Sequence, residues 1–284
     1  MLLLLTSGLA LAAKEKPFLW RVTSANATVY LLGSLHAATI DMYPLPAPLY
    51  TAFDEANYLV VEIDINKVDA QAQFSAIQKY GMYTDGSRID QHLSNDSWQK
   101  LKTYIQARQM SETFIQGMKP WLVNLTITVA ELSRLGYDTS LGIDQHFLNR
   151  AKNKPVLELE TLDGQMKILS GASEKQQEID LVVTLDNLAD MSEMMVTMRT
   201  LWQQGDAQGL YQAMEIDAKK YPGFKKQWEA LLDTRNISMA KKIKSYMVSD
   251  ATYFVIVGAL HLGGKNGLLN LLRKKNYKVK KVLK

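Results

Sequence analysis

Val29-Tyr30-Leu31-Leu32-Gly33-Ser34-Leu35-His36, near the start of the chain, and Phe254-Val255-Ile256-Val257-Gly258-Ala259-Leu260-His261, near its end, share one design. Each is an apolar, strand-forming run that ends in Gly-x-x-His. The chain has 16 glycines and 4 histidines in 284 residues, so chance would give about 0.2 such spacings. Glycine at a strand's end permits a sharp exit and a close backbone approach. The histidine three residues on then falls at the carboxyl edge of a sheet, where open α/β sheets build their sites. Two such histidines can converge on one metal or one substrate.

Working outward, apolar runs and helical stretches alternate. Residues 18–21 and 28–32 read as strands around the polar turn Thr23-Ser24-Ala25-Asn26. A helix follows over 47–56, and then a strand over 59–65. Residues 68–135 are mostly helical: Ser94 is placed to cap one helix, Ser111 heads another stretch, Pro120 starts a third, and Gly136 stops it. A short helix is expected over 141–152 and a strand over 155–159. A second helical region begins near 165 and runs to about 245. Within it, Met191, Met194, Met195 and Met198 read as adaptable core or a contact surface. Strands over 252–257 and 277–282 flank a last helix over 267–275. The pattern predicts one α/β domain over 14–284, with a central, mostly parallel sheet and helical insertions, about 68–135 and 165–245, that cap it.

Composition sets limits. The apolar share of 47% is ordinary for a globular chain, and a net charge of +4 is weak for this length. The basic excess gathers late, around Arg273-Lys274-Lys275 and Lys278, Lys280, Lys281 and Lys284, and reads as a solvated helix and strand; no nucleic-acid partner is expected. With no cysteine, disulfides, thiolate metal sites and a cysteine nucleophile are excluded. Residues 1–13 form an apolar run ending in Ala-x-Ala ahead of Lys14-Glu15-Lys16, which resembles a secretory signal and predicts a periplasmic or secreted protein. The run is too short to span a bilayer, and no stable membrane span is expected.

The polar residues near the strand ends are the candidates for chemistry. Neutral imidazole is a common metal ligand and a proton carrier near neutral pH, which singles out His36 and His261. Glu62 lies inside the apolar run 59–65, and an ionised acid in a buried strand needs a partner. With a period of two, Glu62 and Asp64 share a face. Glu160 ends the strand before Gln165. Asp144 and His146, two apart, do not share a helix face, so if both matter they sit at a helix start. Arg235-Asn236 supplies a permanent fork donor. His92 reads as a surface residue.

These pieces resemble the TraB/GumN family, in its bacterial GumN-like branch. The resemblance is carried by Leu32-Gly33-Ser34-Leu35-His36, Tyr43-Pro44-Leu45-Pro46, Leu59-Val60-Val61-Glu62, Gly142-Ile143-Asp144-Gln145-His146-Phe147, Leu159-Glu160-Thr161, Arg235-Asn236 and Val257-Gly258-Ala259-Leu260-His261, in family order. It implies a fold like that of erythromycin esterase and the haem-uptake protein ChaN. It also implies a site made of His36, His261 and Glu62. In the TIKI branch such a site cleaves peptides with manganese or cobalt. In the esterase-like relatives a histidine is the base without metal, helped by an acid and an arginine, for which Arg235 is the counterpart.

Three functions are therefore open. A metal-dependent hydrolase, a peptidase foremost, would hold a divalent manganese, cobalt or zinc ion on His36, His261 and Glu62, with Glu160 orienting a ligand or acting as base and Arg235 steadying an oxyanion. A metal-free hydrolase would use His36 as base, its tautomer fixed by Glu62. A binding protein would capture a peptide or small molecule without turnover. Asp144, His146 and Asn236 are further site candidates. The chain has no His-Glu-x-x-His, so it is no ordinary zincin.

Overall fold

A computed structural model describes residues 16–220 and 222–283. The apolar N-terminal run at 1–13 lies outside the described residues. Six strands form one sheet: β1 (Leu19–Thr23), β2 (Thr28–Ser34), β3 (Tyr58–Val61), β4 (Val156–Glu158), β5 (Thr252–Gly258) and β6 (Lys278–Lys281). Their order is β4-β3-β5-β2-β1-β6. Strands β4, β3, β5 and β2 are mutually parallel, and β1 is antiparallel to both β2 and β6. The fold is α/β with a mostly parallel sheet, as the alternation of elements predicts.

The sequence explains the centre of the sheet. β5 is buried along nearly its whole length, and β2 through its second half. A strand covered on both faces reads as a continuous apolar run, and both Gly-x-x-His runs do. The β1–β2 hairpin is closed by Ser24, whose Oγ accepts the backbone N–H of Ala27 at 3.0 Å. Phe53, Phe147, Phe254, Met239 and Leu272, from strands and flanking helices, meet in the main core. Gly33 has to be glycine: a Cβ there would stand 2.5 Å from the Phe18 ring, and its carbonyl accepts the Trp202 indole N–H at 2.7 Å.

Much of the first helical insertion builds a second core, around Leu101, Ile105, Ile115, Val123 and Ile127, joined by Leu181 of the second insertion. Local signals set its helices. Ser94 caps Asn95–Ala107 by accepting from Ser97 N, Pro120 opens Pro120–Arg134, and Gly136 takes φ +85° just past that helix. Met191 and Met195 are buried with Ala37 and Tyr137. The methionine cluster is thus core packing behind the loop that carries His36.

The third strand is shorter than its composition predicts. It ends at Val61, and the chain bends at Glu62. Asp64 N–H then donates to the Glu158 carboxylate at 2.8 Å instead of to a ladder carbonyl. Glu62 and Asp64 therefore do not alternate along one strand. Asp64 is buried and paired to Lys67 at 2.9 Å, away from the site, while Ile63 and Ile65 line a cleft. Local β-propensity gives way here to the use made of these side chains.

Candidate active site

The carboxyl ends of β2, β3, β4 and β5 deliver four groups to one place. His36 follows β2, Glu62 follows β3, Glu160 follows β4, and His261 closes a 3-10 turn, Ala259–His261, after β5. β5 lies between β2 and β3 although it comes last of the four in sequence, so the connections diverge there. Such a switch point is where open α/β sheets place ligands.

Gly258 is the centre of this convergence. A Cβ on it would lie 3.1 Å from His36 Nε2, 3.5 Å from Glu62 Oε1 and 3.5 Å from His261 Cδ2. Its backbone N–H donates to Glu62 Oε1 at 2.6 Å. The missing side chain leaves a small space bounded by two imidazoles and a carboxylate.

Each imidazole is held from its far side. His36 Nδ1 pairs with Asp144 Oδ2 at 3.2 Å. Asp144 sits in the first turn of the helix Ile143–Arg150, and its Oδ1 accepts the Ser34 hydroxyl at 2.6 Å. His261 Nδ1 donates to Asn236 Oδ1 at 2.7 Å, with both residues buried. His36 therefore turns Nε2 toward the Gly258 space, while His261 borders it with Cδ2 and sets Nε2 3.8 Å from Glu62 Oε1. A histidine whose other ring nitrogen is engaged in this way is oriented as metal-bound or catalytic histidines are.

The two histidines differ in charge. His36 stands on the floor of an open cleft: its side chain keeps 62% exposure although protein crowds its other sides. That crowding disfavours a charge, but the hydrogen bond and charge of Asp144, with Glu62 nearby, outweigh it and raise His36 to about 9. Water reaches the ring, so the Asp144 pair decides the outcome. His261 is 3% exposed, and burial lowers it to about 4 against the pull of Glu62. At neutral pH His261 is a neutral ring with the proton on Nδ1.

Behind the histidines lies a charge cluster. Arg235 Nη2 donates to Glu62 Oε2 and to Glu160 Oε2, the latter at 2.6 Å; its Nε reaches Glu160 Oε1 at 2.9 Å, and Nη1 reaches the Leu231 carbonyl at 3.2 Å. Gln165 Nε2 bridges the same two carboxylates, at 3.1 and 2.8 Å. Burial alone would raise Glu62, but His261, His36 and Arg235 together hold it below its ordinary value. Arg235 enters this cluster at the end of a π-helical stretch, Glu229–Thr234, of the kind often found at functional sites.

The structure brings together His36, Glu62, Asp144, Glu160, Arg235, Asn236 and His261. It leaves His146 apart: that ring packs on Tyr43, Tyr50 and Phe147 behind the helix that offers Asp144. Glu62 does not touch His36 Nδ1; Asp144 does. Arg235 is turned to the two carboxylates, so the geometry gives it the role of counter-charge. Ser34 and Gln165 join the network too. Ser34 was in plain sight inside the first Gly-x-x-His, but nothing local in the sequence marks a partner at position 144. His92 is half-buried at the surface, its ring stacked on Tyr83 with centroids 3.9 Å apart and paired with Glu174 at 3.3 Å.

The donor set suits a divalent cation with nitrogen and oxygen preference. His261 Nε2 faces Glu62 Oε1 at 3.8 Å, His36 Nε2 borders the same space over Gly258, and the bare His261 lone pair facing a carboxylate is relieved by a cation between them. Bonds of about 2.1 Å give a tetrahedral ligand–ligand edge of about 3.4 Å, a little under the observed 3.8 Å. Among the described residues no group of three or more histidine or acid side chains is already gathered closely enough to hold a metal ion.

The model of the TraB/PrgY/gumN family matches residues 18–281. The uncharacterized protein YbaP of Escherichia coli K12 is 26% identical over 252 residues, which covers 87% of this chain and 89% of that protein. A YbaP of Shigella flexneri matches to the same extent. An uncharacterized protein of Treponema pallidum is 21% identical over 275 residues, 92% of this chain and 81% of its own. No solved structure matches.

Proposed function

The chain belongs to the TraB/PrgY/gumN family, and we propose that it is a hydrolase of peptide or ester bonds whose reaction centre is the space over Gly258. The observation that carries this reading is the convergence of His36 Nε2, Glu62 Oε1 and the His261 ring on the position of one absent Cβ. A hydrolase needs such a point, open to substrate on one side and lined by groups that hold and deprotonate water.

His36 Nε2, His261 Nε2 and Glu62 Oε1 are the groups that would hold a divalent ion, which when bound would polarise the substrate carbonyl and lower the pKa of water. Asp144, fixed by Ser34, orients His36. Asn236 orients His261 and keeps its proton away from the reaction space. Gly258 gives the room. Arg235 and Gln165 keep Glu62 ionised and aimed while Glu160 balances the arginine. The open side of the site, next to His36, admits the substrate.

A second reading rests on the exposed His36–Asp144 pair. Without a metal, His36 would be the base, and its value of about 9 means that activity would rise toward that pH.

One experiment separates them. The purified protein is assayed for bound metal, then tested on peptide and ester panels before and after chelation and on re-addition of manganese, cobalt or zinc. Activity lost on chelation and restored by metal supports the first reading. Undiminished metal-free activity that climbs toward pH 9 overturns it in favour of the second. Binding of peptides with no turnover under any condition overturns both in favour of a binding protein. The apolar N-terminal run ending in Ala-x-Ala supports a periplasmic or secreted location, which cell fractionation tests.

A further inference from the structure

The cleft leading to the site has a lining of two unlike kinds. Its volume is about 370 Å³, within the range of small-ligand sites. His36, Glu62, Asp144, Gln165 and Arg235 form the polar part of its wall. Much of the rest of the wall is apolar: Ile65, Met166, Ile168, Leu169 and Leu231 face the same space. Ile65 is 42% exposed, so a large apolar side chain beside the reaction centre is left without cover. The polar and apolar parts of the lining are tied together at Leu231 and Arg235. Leu231 belongs to the π-helical turn that leads into Arg235, and the Leu231 carbonyl accepts from Arg235 Nη1.

The charges say what that wall is for. Arg235 is the permanent cation among the lining residues, and Glu62 and Glu160 already engage it. His36 is paired with Asp144. A negatively charged substrate group entering the cleft would meet Glu62 and Asp144 with no unengaged arginine or lysine among the lining residues to receive it. An uncharged apolar group would instead cover Ile65, Met166 and Leu231.

Resting on the hydrolase reading, we infer that the cleft selects its substrate by an apolar side chain of leucine, methionine or phenylalanine size flanking the bond to be cut, and rejects an acidic residue there. Ile65, Met166 and Leu231 are the specificity-determining contacts.

The test uses fluorescein-labelled hexapeptides that differ only at a central position, carrying leucine, phenylalanine, alanine or aspartate. Binding by fluorescence anisotropy and turnover by chromatography are measured on the full-length protein. The leucine and phenylalanine peptides are expected to bind and turn over about tenfold better than the aspartate peptide. Ile65→Lys, at an exposed position with little risk to folding, should erase or invert that preference, and Met166→Lys should do the same. Turnover without any preference, or a preference unchanged in both variants, overturns the inference and leaves the hydrolase reading standing. No turnover, with the apolar peptides still bound about tenfold more tightly and the variants reversing it, supports the cleft and sinks the hydrolase reading. No turnover and equal binding of all four peptides overturns both.

Discussion

His261 donates its Nδ1 proton to Asn236 Oδ1 across 2.7 Å, with both residues buried, and so presents Nε2 bare toward Glu62. This pair sets the protonation of the deeper half of the site. Asn236→Asp replaces the amide by a carboxylate and should raise His261 from about 4 to well above its ordinary value, because the ring then gains an adjacent negative charge. NMR titration of the ring protons checks this; an unmoved titration would mean that Asn236 does not govern the ring. Asn236→Ala strands a buried donor and should cost about 1–3 kcal/mol in urea unfolding.

Gly258 offers a cleaner probe. Its backbone, φ −52° and ψ 138°, suits any L-residue, so Gly258→Ala should leave the melting temperature within a few degrees. The new methyl nevertheless fills the space 3.1 Å from His36 Nε2. Turnover should fall at least about 100-fold, an effect of the size expected when reacting groups are displaced by about 1 Å. Near-full activity in this variant would remove the reaction centre from the place given to it.

Arg235 is the keystone of the charge cluster. Its side chain is 13% exposed and contacts two carboxylates that are 12% and 11% exposed. Arg235→Leu leaves Glu62 and Glu160 facing each other without a counter-charge, which should cost about 3–5 kcal/mol. Glu160→Gln keeps the Glu62 pair and should cost less. Denaturant unfolding of both variants checks the order; equal losses would mean that the Arg235–Glu62 pair contributes nothing once Glu160 is neutral.

Stability should depend on pH through two limbs of opposite sign. His36 is raised to about 9 in the fold, so its contribution is full below about 6.5 and is lost as pH rises toward 9. His261 is lowered to about 4, so below about 6.5 the unfolded chain takes up a proton that the folded ring refuses. Stability then drops as pH falls from 6.5 to 4, by about 3 kcal/mol over the window. Lower still, the depressed Glu62 and Asp144 add to the acid loss. Melting temperatures across pH 4–10 should peak near 6.5. His261→Gln should flatten the acid limb, and Asp144→Asn should flatten the alkaline one.

The elements of the fold were legible because each carries its own local signal. The Gly-x-x-His runs read as buried parallel strands since both faces are apolar, and Ser94, Pro120 and Gly136 mark helix ends by capping chemistry. The third strand was read too long because Ile63 and Ile65 have strand propensity, yet they serve as cleft lining. His146 lies in a motif with Asp144, but two positions along a helix turn it toward Tyr43 and Tyr50.

Residue order alone is enough to show two strands that each end in a glycine and deliver a histidine, with acids at the ends of two more. Those are local properties: apolar runs, glycine's lack of a Cβ, and the sites where strands stop. The partners of these groups follow from the folded arrangement. Asp144 rather than Glu62 holds His36, Asn236 holds His261, and Arg235 is spent on Glu62 and Glu160. These contacts join residues tens to hundreds of positions apart. They exist because β5 inserts between β2 and β3, an order that no local pattern encodes.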